Sequence, residues 1–150
     1  MTMESLRVIM VDLDVDGQQS LVVLLDQEGL VNRLGTGAVN NTERKFFIGR
    51  TDQPLFAQLR DKVDSAWITH QGAYEVPEKR GSLCTLTIMF QHADGQENAI
   101  RFRYGSESEG PPGDICHFVA EAVRLTDPWY GQQKLLAGGE ARAKPWWKLW

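Results

Sequence analysis

Polar and apolar residues alternate most cleanly over residues 83–104. In the first arm Cys84, Leu86, Ile88 and Phe90 alternate with Thr85, Thr87 and Met89. In the second, Ile100, Phe102 and Tyr104 alternate with Arg101 and Arg103. A period of two marks strands with one apolar face. Between the arms lies Ala93-Asp94-Gly95-Gln96, and Asp-Gly suits a tight hairpin turn in which both central residues take positive φ. A lone hairpin cannot bury such a face, so other elements must lie across it.

The same alternation runs over 8–15, where Ile9, Val11, Leu13 and Val15 point one way and Met10, Asp12, Asp14 and Asp16 the other. Residues 21–25 form a nearly continuous apolar run, as in a strand covered on both sides, and further strands are expected at 30–34 and 44–48. Helical spacing occurs twice. Leu55, Phe56, Leu59, Val63 and Trp67 follow Asp52 and Pro54, while Ile115, Phe118, Val119, Ala122 and Val123 follow Asp114 as a cap. Asp127-Pro128 is expected to end the second helix, because proline brings no N–H to the ladder. Residues 68–76 fit no single period and read as extended.

Strands joined by tight turns, interrupted by a helix and closed by another, point to an α+β fold. The expected architecture is a two-layer sandwich, a mainly antiparallel sheet with two helices packed on one face. Ile9, Val11, Leu13, Leu86, Ile88, Phe90, Ile100 and Phe102 are the expected inward set. The two Asp-Gly turns, at 16–17 and 94–95, hint at an internal strand-strand-helix duplication, although turns and helix starts are not separated by the same interval.

At 150 residues, 42% hydrophobic and 24% charged, the chain fits one globular domain, placed at 1–137, with a glycine-hinged tail at 138–150. The net charge of −4 repels nucleic acid, so no nucleic-acid partner is expected. The first residues lack a basic region followed by an apolar run, and no stretch approaches the roughly 18 apolar residues of a membrane span. The expectation is a cytoplasmic protein with Cys84 and Cys116 as free thiols.

Motif fragments argue against local chemistry. Asp12-Leu13-Asp14-Val15-Asp16-Gly17 matches the first half of a calcium loop, but Val23 stands where the bidentate glutamate belongs and strands flank it. Gly35-Thr36-Gly37 lacks the lysine and the helix of a phosphate loop. Ser108 in Ser106-Glu107-Ser108-Glu109-Gly110 lacks the first glycine of a nucleophile elbow, and two glutamates would oppose an oxyanion. His70, His92 and His117 show no metal-ligand spacing. No catalytic residue, cofactor or metal is therefore expected.

Arg101 and Arg103 share the polar face of their strand. Were that strand beside the one flanked by Arg44, Lys45 and Arg50, they would form a basic patch. Cross-strand charge pairing is the plainer use.

The chain ends Lys144-Pro145-Trp146-Trp147-Lys148-Leu149-Trp150, so three of its five tryptophans occupy the last five residues. Such a segment folds back on the domain, docks into a partner as tryptophan hot spots do, or rests at a membrane interface. The function expected is a non-catalytic domain, adaptor-like or immunity-like, that binds another protein through Trp146, Trp147, Leu149 and Trp150 or through Arg101 and Arg103. Pairing of strand edges between copies would make a homo-oligomer. The rival is a small-ligand-binding or enzymatic domain with its site near the 105–113 loop. A membrane role for the tail predicts vesicle binding that is lost when residues 145–150 are deleted, a difference that co-sedimentation reads directly.

Overall fold

A computed structural model of the chain describes the backbone of residues 2–147 and the side chains of residues 2–138. The elements are β1 (Leu6–Val15), β2 (Gln18–Asp26), β3 (Leu30–Gly35), β4 (Phe47–Arg50), α1 (Leu55–Arg60), β5 (Gly72–Glu75), β6 (Leu83–His92), β7 (Glu97–Gly105) and α2 (Gly113–Trp147), with a 3-10 turn at Trp67–Thr69. The fold is α+β. Among the described residues seven strands form one sheet in the order β4-β3-β2-β1-β6-β7-β5, every neighbouring pair antiparallel except β5 with β7.

Register explains the core. Leu25, Ile9 and Phe90 lie opposite one another across β2, β1 and β6. So do Val23, Val11 and Ile88, and Leu21, Leu13 and Leu86, with Ile100 and Phe102 continuing the rows on β7. These residues join Leu55, Phe56 and Leu59 of α1 and Ile115, Phe118 and Ala122 of α2 in one cluster. All eight expected inward residues are buried, and each large apolar side chain so placed contributes about 1.5–3 kcal/mol.

Local details depart from expectation. In the first hairpin Asp16 (φ 51°) and Gly17 (φ 81°) are both left-handed, but in the second only Gly95 (φ 85°) is. Its longer loop is closed by hydrogen bonds from Gly95 N to His92 O and from His92 N to Gln96 O. Helix α1 is one and a half turns, with Pro54, not Asp52, at its N-cap, and it ends in tight turns in which Lys62 N and Val63 N donate to Leu59 O and Arg60 O. Trp67 therefore sits in the 3-10 turn and not on the helix. Residues 68–76 divide between that turn and the parallel edge strand β5. Strands β4 and β7 lie far apart in the sheet, so Arg44, Lys45 and Arg50 form no patch with Arg101 and Arg103. Asp114 lies inside α2, its Oδ1 accepting from Ile115 N at 2.9 Å.

The largest correction concerns Asp127-Pro128. Helix α2 runs through it, because partners outside the helix hold that turn. Arg33 of β3 points into the core phase beside Val23 and is 1% exposed. Its Nε and Nη2 donate to Gly35 O at 3.1 and 2.9 Å. Nη1 reaches Thr126 Oγ1 and Asp127 Oδ1, both at 2.9 Å, and Val123 O at 3.4 Å. Thr126 Oγ1 in turn donates to Ala122 O at 2.8 Å. The guanidinium lies 4.4 Å from the centre of the Tyr130 ring, and Gly35 N donates to the Tyr130 hydroxyl at 2.9 Å. Gly35 has φ 76°, and a Cβ there would stand 2.0 Å from Ser20 O, so only glycine fits.

A buried cation is tolerable only when its donors are satisfied. Arg33→Leu is expected to cost about 3 kcal/mol or more, since it strips donors from the carbonyl and side-chain oxygens around Pro128. Asp127 is 57% exposed, so Asp127→Asn should cost less than about 1 kcal/mol. Urea unfolding of the two variants checks this, and equal losses would contradict it.

Candidate functional site

A cleft of about 530 Å³ lies between β5, β7, the 3-10 turn and residues 109–115. Its walls are aromatic. The Tyr74 ring stacks on Phe102 at 5.3 Å and on His70 at 5.8 Å, with interplanar angles of 21° and 19°. His70 Nε2 contacts the Tyr74 hydroxyl. Trp67 stands edge-on to Phe118 at 5.4 Å, and Tyr104 closes the far wall. Burial first, then the Cys84 and Cys116 thiols, push the Tyr104 phenol up to about 12, so it stays a neutral donor.

Buried polar groups set these walls. Asn98 occupies an inward position of β7 and is 5% exposed. Its Nδ2 donates to Trp67 O at 2.8 Å and to His70 O at 2.7 Å. With both amide protons used, Asn98 Oδ1 accepts from His92 Nε2 at 3.1 Å, which fixes the His92 tautomer and leaves Nδ1 facing Ser5 Oγ at 3.0 Å. This relay holds the turn that carries Trp67 and His70 against β7. On the other side, the loop after β7 is pinned at its root. Ser106 N donates to Ser82 O and Glu107 N to Arg80 O, while Ser82 N donates to Ser106 Oγ at 2.9 Å. A Cβ on Gly105 would meet Arg80 O at 2.1 Å, so this close approach also needs glycine.

The opposite sheet face has a different character. Asp12 and Asp14 project from β1 between Val22 and Gln19 of β2 and Thr87 and Thr85 of β6. Their Oδ1 atoms are buried and lack a hydrogen-bond partner among the described residues. Burial first, then the neighbouring Asp14 carboxyl, raise Asp12 to about 6, against smaller lowering by Gln19 and Arg101. A trough of about 540 Å³ crosses this face near β5, with Ala73, Met89, Ala99 and Arg101 along it.

The residues singled out in the sequence scatter. Arg101 and Arg103 are exposed on β7, where Arg101 Nε donates to Thr87 Oγ1 at 3.2 Å and Arg103 lies 3.7 Å from Glu75. The side chains of Trp146, Trp147, Leu149 and Trp150 lie outside the described residues. Ser108 Oγ is engaged within its loop, accepting from Gly105 N at 2.8 Å. His117 faces Glu121 at 3.9 Å, a helix-surface pair. Cys84 is buried and Cys116 exposed, both free. Among the described residues no cluster of three or more metal-ligating side chains occurs, and no helix is long and apolar enough to cross a membrane. The positioning residues missed in the sequence, Arg33 and Asn98, carry one signal: each is polar at a position whose phase is inward.

Comparison with protein-family models, curated proteins and solved structures finds no match, so the functional reading rests on this geometry.

Asp12 gives a pH signature. Its folded-state value of about 6 exceeds the ordinary 3.8, so its contribution to stability is full below the lower value and lost as pH rises through the higher one. At this half-buried site solvent screening holds the loss to about 1–2 kcal/mol. Asp12→Asn is expected to be more stable than the parent near neutral pH but not in acid. Urea unfolding at both ends of the window checks this, and parallel pH profiles would contradict it.

Proposed function

We propose that the chain is a non-catalytic binding domain whose ligand occupies the aromatic cleft beside the 105–113 loop. One observation carries the reading: a cavity of about 530 Å³, in the size range of organic-ligand sites, walled by Trp67, Tyr74, Phe102 and Tyr104. Support comes from the way those walls are held. The Asn98 relay on one side and the Arg80–Gly105 approach on the other fix the cleft before any ligand arrives, which lowers the ordering cost of binding. The reading takes the architecture as a two-layer sandwich with both helices on one sheet face, for which the shared core of sheet, α1 and α2 residues is the support. It needs no internal duplication. It has the protein act in the cytoplasm, for which the two free cysteines are the support.

A second reading, docking of another protein on the open sheet face, is favoured by one row in register. Ile48, Leu24, Met10 and Met89 lie across β4, β2, β1 and β6 with Asn32 between the first two, and Ile48 is 68% exposed.

Amide chemical shifts followed during titration with a small-molecule extract of the native cells separate the two. Perturbations are expected at residues 72–76, 100–104 and 109–115, and Tyr74→Ala should abolish them. A response confined to residues 10–14, 22–24 and 85–89, or no response, would contradict the cleft reading.

A further inference from the structure

The cleft is acidic as well as aromatic. Among the described residues Glu75, Glu109 and Asp114 line it against one guanidinium, that of Arg103, and the His70 imidazole. Glu75 is already compensated, by Lys79 at 2.7 Å and Arg103 at 3.7 Å, and those two cations, Lys79 first, hold its carboxyl below the usual range. Glu109 and Asp114 form no ion pair among the described residues. They stand on opposite sides of the Pro111-Pro112 step, so one loop and the start of α2 bring two carboxylates, without an ion-pair partner among the described residues, to a cavity also lined by Trp67, Tyr74, Phe102 and Tyr104. An anionic ligand would meet repulsion there, and a neutral one would leave both charges unused. A cation with an apolar skin suits both features at once: its methyl or methylene groups rest on Trp67, Tyr74 and Tyr104, and its charge is met by ring faces and by the two carboxylates. Tyr74 stacks on both Phe102 and His70, yet at ring-centre distances of 5.3 and 5.8 Å it remains 45% exposed and keeps part of its ring surface open to such a group.

We infer that the ligand of this cleft is an organic cation, an alkylated ammonium group held by the aromatic walls and by Glu109 and Asp114. The inference rests on the cleft reading above and narrows it to a chemical class. The same group occurs on free small molecules and on methylated lysine side chains of proteins, and the test separates these sources.

Calorimetric titration of the full chain with choline, with a trimethyl-lysine peptide, and with the uncharged carbon isostere of choline, in which a tert-butyl group replaces trimethylammonium, reads the charge directly. Choline is expected to bind at least about tenfold more tightly than the isostere, with shifts at residues 72–76 and 100–104. The double variant Glu109→Gln, Asp114→Asn should cut that preference several-fold, leaving the part supplied by the ring faces, with the isostere still bound. Both substitutions keep side-chain size, and asparagine keeps the side-chain oxygen that accepts from Ile115 N, so the fold is retained; a cleft that still bound the isostere would prove it. A peptide that binds more tightly than choline assigns the cation to a protein side chain, and the reverse order to a small molecule; either supports the inference. Equal binding of choline and isostere, or no binding of any of the three, would overturn it. In the latter case an unchanged response of the cleft amides to cell extract leaves the cleft reading standing, whereas its absence removes both.

Discussion

The guanidinium of Arg33 is the fixed point on which the long helix is seated. An arginine at an inward position of a central strand would be a defect if its donors were unmet. Here they are spent on Gly35 O, Thr126, Asp127 and Val123 O, and the cation is covered by Tyr130. One side chain thus joins a strand end to the turn of α2 that proline weakens. With that turn held, the first turns of α2 can lie across the core through Ile115, Phe118 and Ala122. Those first turns supply Asp114 and Ile115 to the cleft. The site at one end of the helix depends on a contact near its middle.

The same physics explains which parts of the fold were legible from residues alone. Alternation over 8–15 and 83–104 is legible because a one-residue slip would turn every apolar group to the wrong face. All eight inward residues named from that pattern are buried. Helix ends were less legible. Pro128 argues for a stop on local grounds, and what overrides it is Arg33, some ninety residues away in sequence. The parallel strand β5 escapes for a related reason: four residues, Gly72–Glu75, carry too short a pattern, and their pairing with β7 depends on Asn98 fixing the preceding turn. The turn at 94–95 differs because the Asp-Gly pair is compatible with more than one loop length, and the strand register selects the longer.

The cleft was legible only as a location, the loop between a strand and a helix. Its walls come from residues 67, 74, 102, 104, 109 and 114, and no local motif joins them. Arg101 and Arg103, conspicuous as a pair, are exposed and engaged with Thr87 and Glu75. By contrast the two carboxylates that the cleft proposal uses read in sequence as ordinary features, Glu109 as part of an acidic loop and Asp114 as a helix cap. Charge gains meaning once the fold decides which carboxylates already have partners. On the other sheet face, Asp12 and Asp14 illustrate the other outcome, carboxyls crowded together and half-buried so that one holds its proton toward neutral pH.

The most direct test of this account is a crystallographic soak of the full chain with an unbiased set of small fragments, cationic, neutral and anionic in equal number. The account predicts fragment density concentrated against Trp67, Tyr74 and Tyr104, with amines over-represented and their nitrogen atoms near Glu109 or Asp114. Fragments gathered on the open sheet face around Met10 and Met89, or carboxylates in the cleft, would contradict it.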